Sequence, residues 1–348
     1  MKLPHALMFF VAVSPVTACL WDRDTIAMEA RGRLEVVETA LGWFDRFPPE
    51  YYQMRLDRVA PEITADPSRL DLYDDAAVAC DRLGRHEEAV AWMEKKKAAL
   101  QPLPQAQTAE HRYRLHANLG VFHTHRWIKS PERALRHEIL DLAIQEVRIA
   151  LQINPNAHFG REHAHLLLLE WWRAGFTAKP ESDKEPDDRE MPMEALVQFE
   201  ELWEKSPSTD FSKGFCGLIQ MGSAQDSPDV HLLLTRHLMM SHAATTDNTG
   251  PLSSLGYLLC LRLAELSIEE RAPVHVSGQL QRWMQPGTHL AANWKKMDDS
   301  TAVNLLAHAL SRNLVMYATE HDLKPAAAWF HETRRVAKQR HEAKTVFM

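Results

Sequence analysis

Between Pro67 and Leu100, small and apolar side chains fall at helical rather than alternating intervals. Tyr73, the Ala76-Ala77 pair and Cys80 recur every three to four residues, and Ala89 and Met93 resume that spacing after a break at Leu83-Gly84. The break predicts two antiparallel helices joined by a tight turn. Gly84 stands where a helix end favours a left-handed residue. Period-two runs of Val, Ile and Thr, the mark of strands, are absent, so the pattern predicts helices throughout.

The hairpin pattern recurs. His116, Leu119, Gly120 and His123 repeat the first-helix spacing, followed by Ala143, Val147 and Pro155 in a second helix. A further copy runs through Arg161, Ala164, His165 and Leu168, then Ala195, Phe199 and Pro207. In both copies the proline stands twelve residues after the alanine. The copies are longer than the usual ~34-residue period, and the surplus predicts loop insertions at 128–137 and 177–192. Downstream, Leu252, Leu255, Gly256 and Leu259 fit well, Lys213, Cys216, Gly217 and Gln220 fit poorly, and Pro325 opens a last helix. Upstream, Gly32 to Phe47 and Pro49 to Thr64 form a degenerate pair.

These spacings resemble the tetratricopeptide repeat superfamily, most specifically over 67–207. Arg55 departs from the pattern in a small-residue slot, as do His116 and Arg161 in slots usually aromatic. The resemblance implies an all-α fold, an α-solenoid of about seven antiparallel hairpins whose first helices line a concave groove. It divides the chain into a leader at 1–18, a degenerate helical pair at 19–66, repeats at 67–207 and degenerate C-terminal repeats at 208–348. Cys19-Leu-Trp-Asp-Arg-Asp-Thr and Pro48-Pro49-Glu50-Tyr51-Tyr52 are similar to segments of exported bacterial repeat proteins, a likeness that carries no activity with it.

Composition narrows the address and the partner class. Residues 1–18 combine one lysine, an apolar run and small residues before Cys19, which reads as a secretory signal. Val16-Thr17-Ala18-Cys19 resembles a lipobox, so the expectation is an envelope or periplasmic protein held to the membrane only through lipid on Cys19. A formal charge of −7 leaves no cationic footprint for nucleic acid. Cys80, Cys216 and Cys260 are far apart on predicted helices and read as buried thiols rather than disulfide partners.

Nineteen histidines invite a metal reading. Yet His123-x-His125 and His163-x-His165 on helices send their rings to different faces, and several histidines sit at packing positions. The expectation is therefore packed histidines, no metal and no cofactor. Asp22-Arg23-Asp24-Thr25 lacks the strand and glycine turn of a phosphate-transferring hydrolase, and Cys216 lacks a nucleophile elbow. No catalytic residue is assigned. Registering the repeats instead places Asp74, Asp81, Arg82, Arg114, His125, Glu162 and Glu170 on the groove, where they would clamp a peptide or protein partner. The alternative is an enzyme, or a small-ligand or glycan receptor, with its site in the divergent C-terminal half.

Overall fold

The computed structural model describes residues 36–130, 133–177, 211–222, 224–243, 252–268 and 320–346, with 201, 203, 298, 300, 301, 303, 304 and 307. The leader, Cys19 and most of the predicted 177–192 insertion lie outside them. The described residues are all-helical, with no strand among them. They form α1 (Val36–Leu41), α2 (Pro49–Ala65), α3 (Leu70–Arg82), α4 (His86–Leu100), α5 (Gln105–Lys129) and α6 (Arg133–Ile153). A 3-10 turn at Ala157–Gly160 leads into α7 (Arg161–Thr177), followed by α8 (Phe211–Gln220), α9 (Pro228–Ala243), α10 (Leu252–Ile268) and α11 (Glu320–Val346). No helix of the described residues is long and apolar enough to cross a membrane.

From α2 to α7 each helix packs against the next, and α3 also touches α5. The spacing that defines the first hairpin explains this. Ala76, Ala77, Cys80, Ala89 and Met93 are all fully buried, so small side chains let α3 and α4 approach closely. Gly84, at φ 75°, donates its N–H to Asp81, and Arg85 donates to Cys80, closing α3 in a Schellman turn. The surplus residues that the repeat period placed in a loop at 128–137 are instead largely helical, since α5 runs to Lys129 and α6 starts at Arg133. Leu140, Ala143, Ile144 and Val147 are buried on one face of α6, and burying that stripe favours helix over loop. Arg55 fits its small-residue slot by lying over the Tyr51 and Tyr52 rings, 4.8 and 5.9 Å from their centroids, and donating to the Tyr51 hydroxyl.

The N-terminal stretch departs from a hairpin stack. Helix α1 packs chiefly on α8, α10 and α11 rather than pairing with α2. Arg334 donates to the Leu41 carbonyl at 2.9 Å, His341 meets that of Gly42 at 3.0 Å, and Gln220 donates to Thr39 at 2.8 Å. Beneath this contact Glu265 accepts from Arg262, Arg334 and Lys338 at 2.6 to 2.8 Å. Burial would raise its carboxyl, but Arg262 and Arg334 together hold it well below the usual range.

At the junction of the two halves α8 meets the turn before α7. A Cβ on Gly214 would lie 2.8 Å from both the Gly160 carbonyl oxygen and the Ala164 methyl. A backbone oxygen cannot swing aside as a long side chain can. Gly214→Ala should therefore cost about 1–3 kcal/mol through overpacking, seen as a lower urea midpoint at unchanged m-value. An unshifted midpoint would show that α8 is free to back away.

Candidate functional site

Three helices bring Asp81, His86 and His125 to one point. Asp81 occupies the last turn of α3, and the Schellman turn at Gly84 reverses the chain so that His86 opens α4 beside it. His125 arrives from the C-terminal part of α5, which packs on both. His86 Nδ1 lies 2.9 Å from Asp81 Oδ1, and His125 Nδ1 lies 2.8 and 3.0 Å from Oδ1 and Oδ2. The two rings are tilted, with centroids 5.6 Å apart. An ionised carboxylate only accepts, so each contacting Nδ1 carries its hydrogen. The Asp81 side chain is fully buried, whereas His86 and His125 keep 14% and 15% exposure and form the solvent edge. Burial would raise the Asp81 carboxyl, but His125 and His86 outweigh it and hold the group far below its ordinary value.

Behind His125 the interior stays polar. Thr124 gives its hydroxyl hydrogen to the Gly120 carbonyl at 2.7 Å and so accepts from His165 Nε2 at 3.0 Å. That fixes the His165 tautomer and leaves Nδ1 a bare acceptor, with no hydrogen-bond partner among the described residues. Burial, aided by His125 and Arg161, pushes His165 down to about 3, so it stays neutral. His123 and His125 do point apart, His123 Nδ1 meeting Arg126 at 3.0 Å while His125 turns to Asp81.

The residues assigned to the groove from sequence are placed as follows. Asp74 is buried against Lys96, with both oxygens within 2.7 Å of Nζ, and accepts from Asn118 at 3.2 Å. Glu162 is buried and accepts from the Tyr113 hydroxyl at 2.5 Å. Arg82 donates to the Met221 carbonyl at 2.7 Å, tying the end of α3 to the end of α8. Arg114 pairs with Glu110 at 3.1 Å and Glu170 with Arg148 at 2.7 Å, both pairs reachable by solvent. Of the seven, Asp81 and His125 meet directly, and Asp74, Asp81 and Glu162 are packed inside the helix layers.

Set against protein-family models, curated proteins and solved structures, the chain matches none. The geometry stands alone.

His86 and Lys96 are among the members of these polar groups that the repeat spacing does not mark. His86 lies off the repeat spacing, yet Asp81 and His86 flank the predicted Leu83-Gly84 turn, and a tight reversal necessarily sets those positions side by side. Lys96 continues the buried stripe Ala89, Met93, Lys96, Leu100, so a cation on that face needed an internal partner. Chemically, the trio offers two imidazoles and a carboxylate, a donor set suited to an imidazole-preferring metal ion. It holds no thiol or hydroxyl group. Burial pushes the Cys80 thiol up to about 11 and Cys260 up to about 12, so neither is a thiolate near neutral pH.

Proposed function

We propose that this chain is an exported interaction scaffold, a solenoid of tetratricopeptide-type hairpins tethered by lipid at Cys19 that takes a peptide or protein partner along its first helices. One observation carries this: α3 meets α5 directly, in addition to the pairing of each helix with its neighbour. Contact between successive first helices gives a continuous face, the surface on which hairpin stacks bind extended ligands. The buried Asp74–Lys96 and Tyr113–Glu162 contacts stiffen that wall. Arg82, Arg114, His125 and Glu170 are the assigned residues that keep some exposure, and they supply the polar contacts to the partner.

Charge reversal tests it where the fold tolerates the change. Arg114→Glu and Glu170→Lys each break a solvent-reachable pair worth about 0–1 kcal/mol, whereas reversing buried Asp74 would unfold the wall. Peptides selected from a random display library on the immobilised wild-type chain should bind the double variant at least tenfold more weakly. Undiminished binding, or failure to select any peptide, would rule out this face as the docking surface.

A further inference from the structure

We propose that Asp81, His86 and His125 form a binding site for one divalent first-row transition metal ion of the zinc type. It goes beyond the scaffold function and does not depend on it. Four observations converge. First, the donors fit: imidazole nitrogen with carboxylate oxygen suits zinc, nickel, copper(II) or iron(II), whereas calcium and magnesium take oxygen sets.

Second, the spacing fits. One ligand atom from each of the three residues can be chosen so that all lie within 4.8 Å of one another. Bonds of roughly 2.0–2.2 Å to a tetrahedral ion put neighbouring ligand atoms about 3.3–3.6 Å apart. The Nδ1 to Oδ distances of 2.8 to 3.0 Å are hydrogen-bond lengths somewhat shorter than this, so the side chains would rotate slightly apart to admit the ion. The ion would replace the two Nδ1 hydrogens, each neutral ring then carrying its hydrogen on Nε2.

Third, among the described residues no Lys or Arg is paired with Asp81. Buried Asp74 and Glu265 are met by Lys or Arg: Lys96 at Asp74, and Arg262, Arg334 and Lys338 at Glu265. Asp81 has only the two imidazoles among the described residues, and its side chain is fully buried. Isolating a carboxylate from water is costly unless a cation meets it. A divalent ion does so while using both rings as ligands.

Fourth, the site is held and reachable. Its ligands come from three separate helices fixed by the Schellman turn and by α3–α5 packing, and the partly exposed edges of His86 and His125 give an ion its way in. Three protein ligands leave at least one coordination position for water or an anionic group of a bound partner.

The test uses the tag-free full-length chain, stripped with chelator and titrated with Zn²⁺ by calorimetry. One equivalent should bind, and His86→Gln and His125→Gln should each weaken binding at least tenfold while His163→Gln, on a half-buried histidine that meets the Pro155 carbonyl, leaves it unchanged. A second measurement needs no variant: Zn²⁺ should protect His86 and His125 of the wild-type chain from diethyl pyrocarbonate, read residue by residue by mass spectrometry. Absence of a stoichiometric ion, full binding by either variant, or equal modification of both histidines with and without Zn²⁺ would overturn the proposal.

Discussion

The Lys96→Ala protein is expected to lose about 3–5 kcal/mol of stability, because it strands a buried carboxylate. Lys96 is fully buried, and its ammonium is held by both oxygens of Asp74. Burial opposes the charge on each partner, raising Asp74 and lowering Lys96, against their mutual attraction. Removing the lysine takes away the attraction and leaves the burial. Asn118 still donates one hydrogen bond to Asp74 at 3.2 Å, too little to offset an isolated charge. Urea unfolding near neutral pH measures the loss. Replacing both partners together, Asp74→Leu with Lys96→Met, should recover most of it, since an apolar pair of similar volume carries no desolvation penalty. A Lys96→Ala midpoint within error of wild type would mean that water already reaches Asp74.

How far the sequence reached follows from the range of each interaction. Tyr73, Ala77, Cys80, Ala89 and Met93 were legible because helix pairing is local and writes small residues at fixed intervals. Gly84 was legible because its backbone demands it. The return of Val36–Leu41 onto α8, α10 and α11 was not, for its contacts join residues as distant as Leu41 and Arg334. A repeat period describes only neighbours. The groove assignment shows the same boundary from the other side. Register grouped Asp81 on α3 with His125 on α5, which lie in contact, but does not say that Asp74 and Glu162 are consumed by Lys96 and Tyr113. Those partners sit at positions where the repeat pattern has no preference for charge. The 128–137 stretch was misread because period alone counts surplus residues as loop, whereas the apolar stripe from Leu140 to Val147 draws them into α6.

Asp229→Asn should reverse its effect on stability between acid and alkaline solution. Asp229 lies in the first turn of α9, buried, with Oδ2 accepting from the Trp172 indole at 2.9 Å and Oδ1 without a hydrogen-bond partner among the described residues. Burial pushes its carboxyl up from 3.8 to about 7, the indole opposing only weakly. Below the lower value both folded and unfolded chains hold the proton, and the group is neutral to folding. Between the two values the folded chain keeps a proton that the unfolded chain releases. Stability therefore falls as pH rises, by roughly 1.4 kcal/mol per unit and about 4 kcal/mol in all, then levels off above the folded value. Asparagine keeps an oxygen for Trp172 and cannot titrate, but buries an amide N–H pair at a cost of about 1–3 kcal/mol. The variant should thus be about 1–3 kcal/mol less stable than wild type at pH 4, and more stable by a similar amount at pH 8. Urea unfolding at the two pH values decides it: a constant difference of one sign would show that Asp229 ionises in the folded chain as freely as in water.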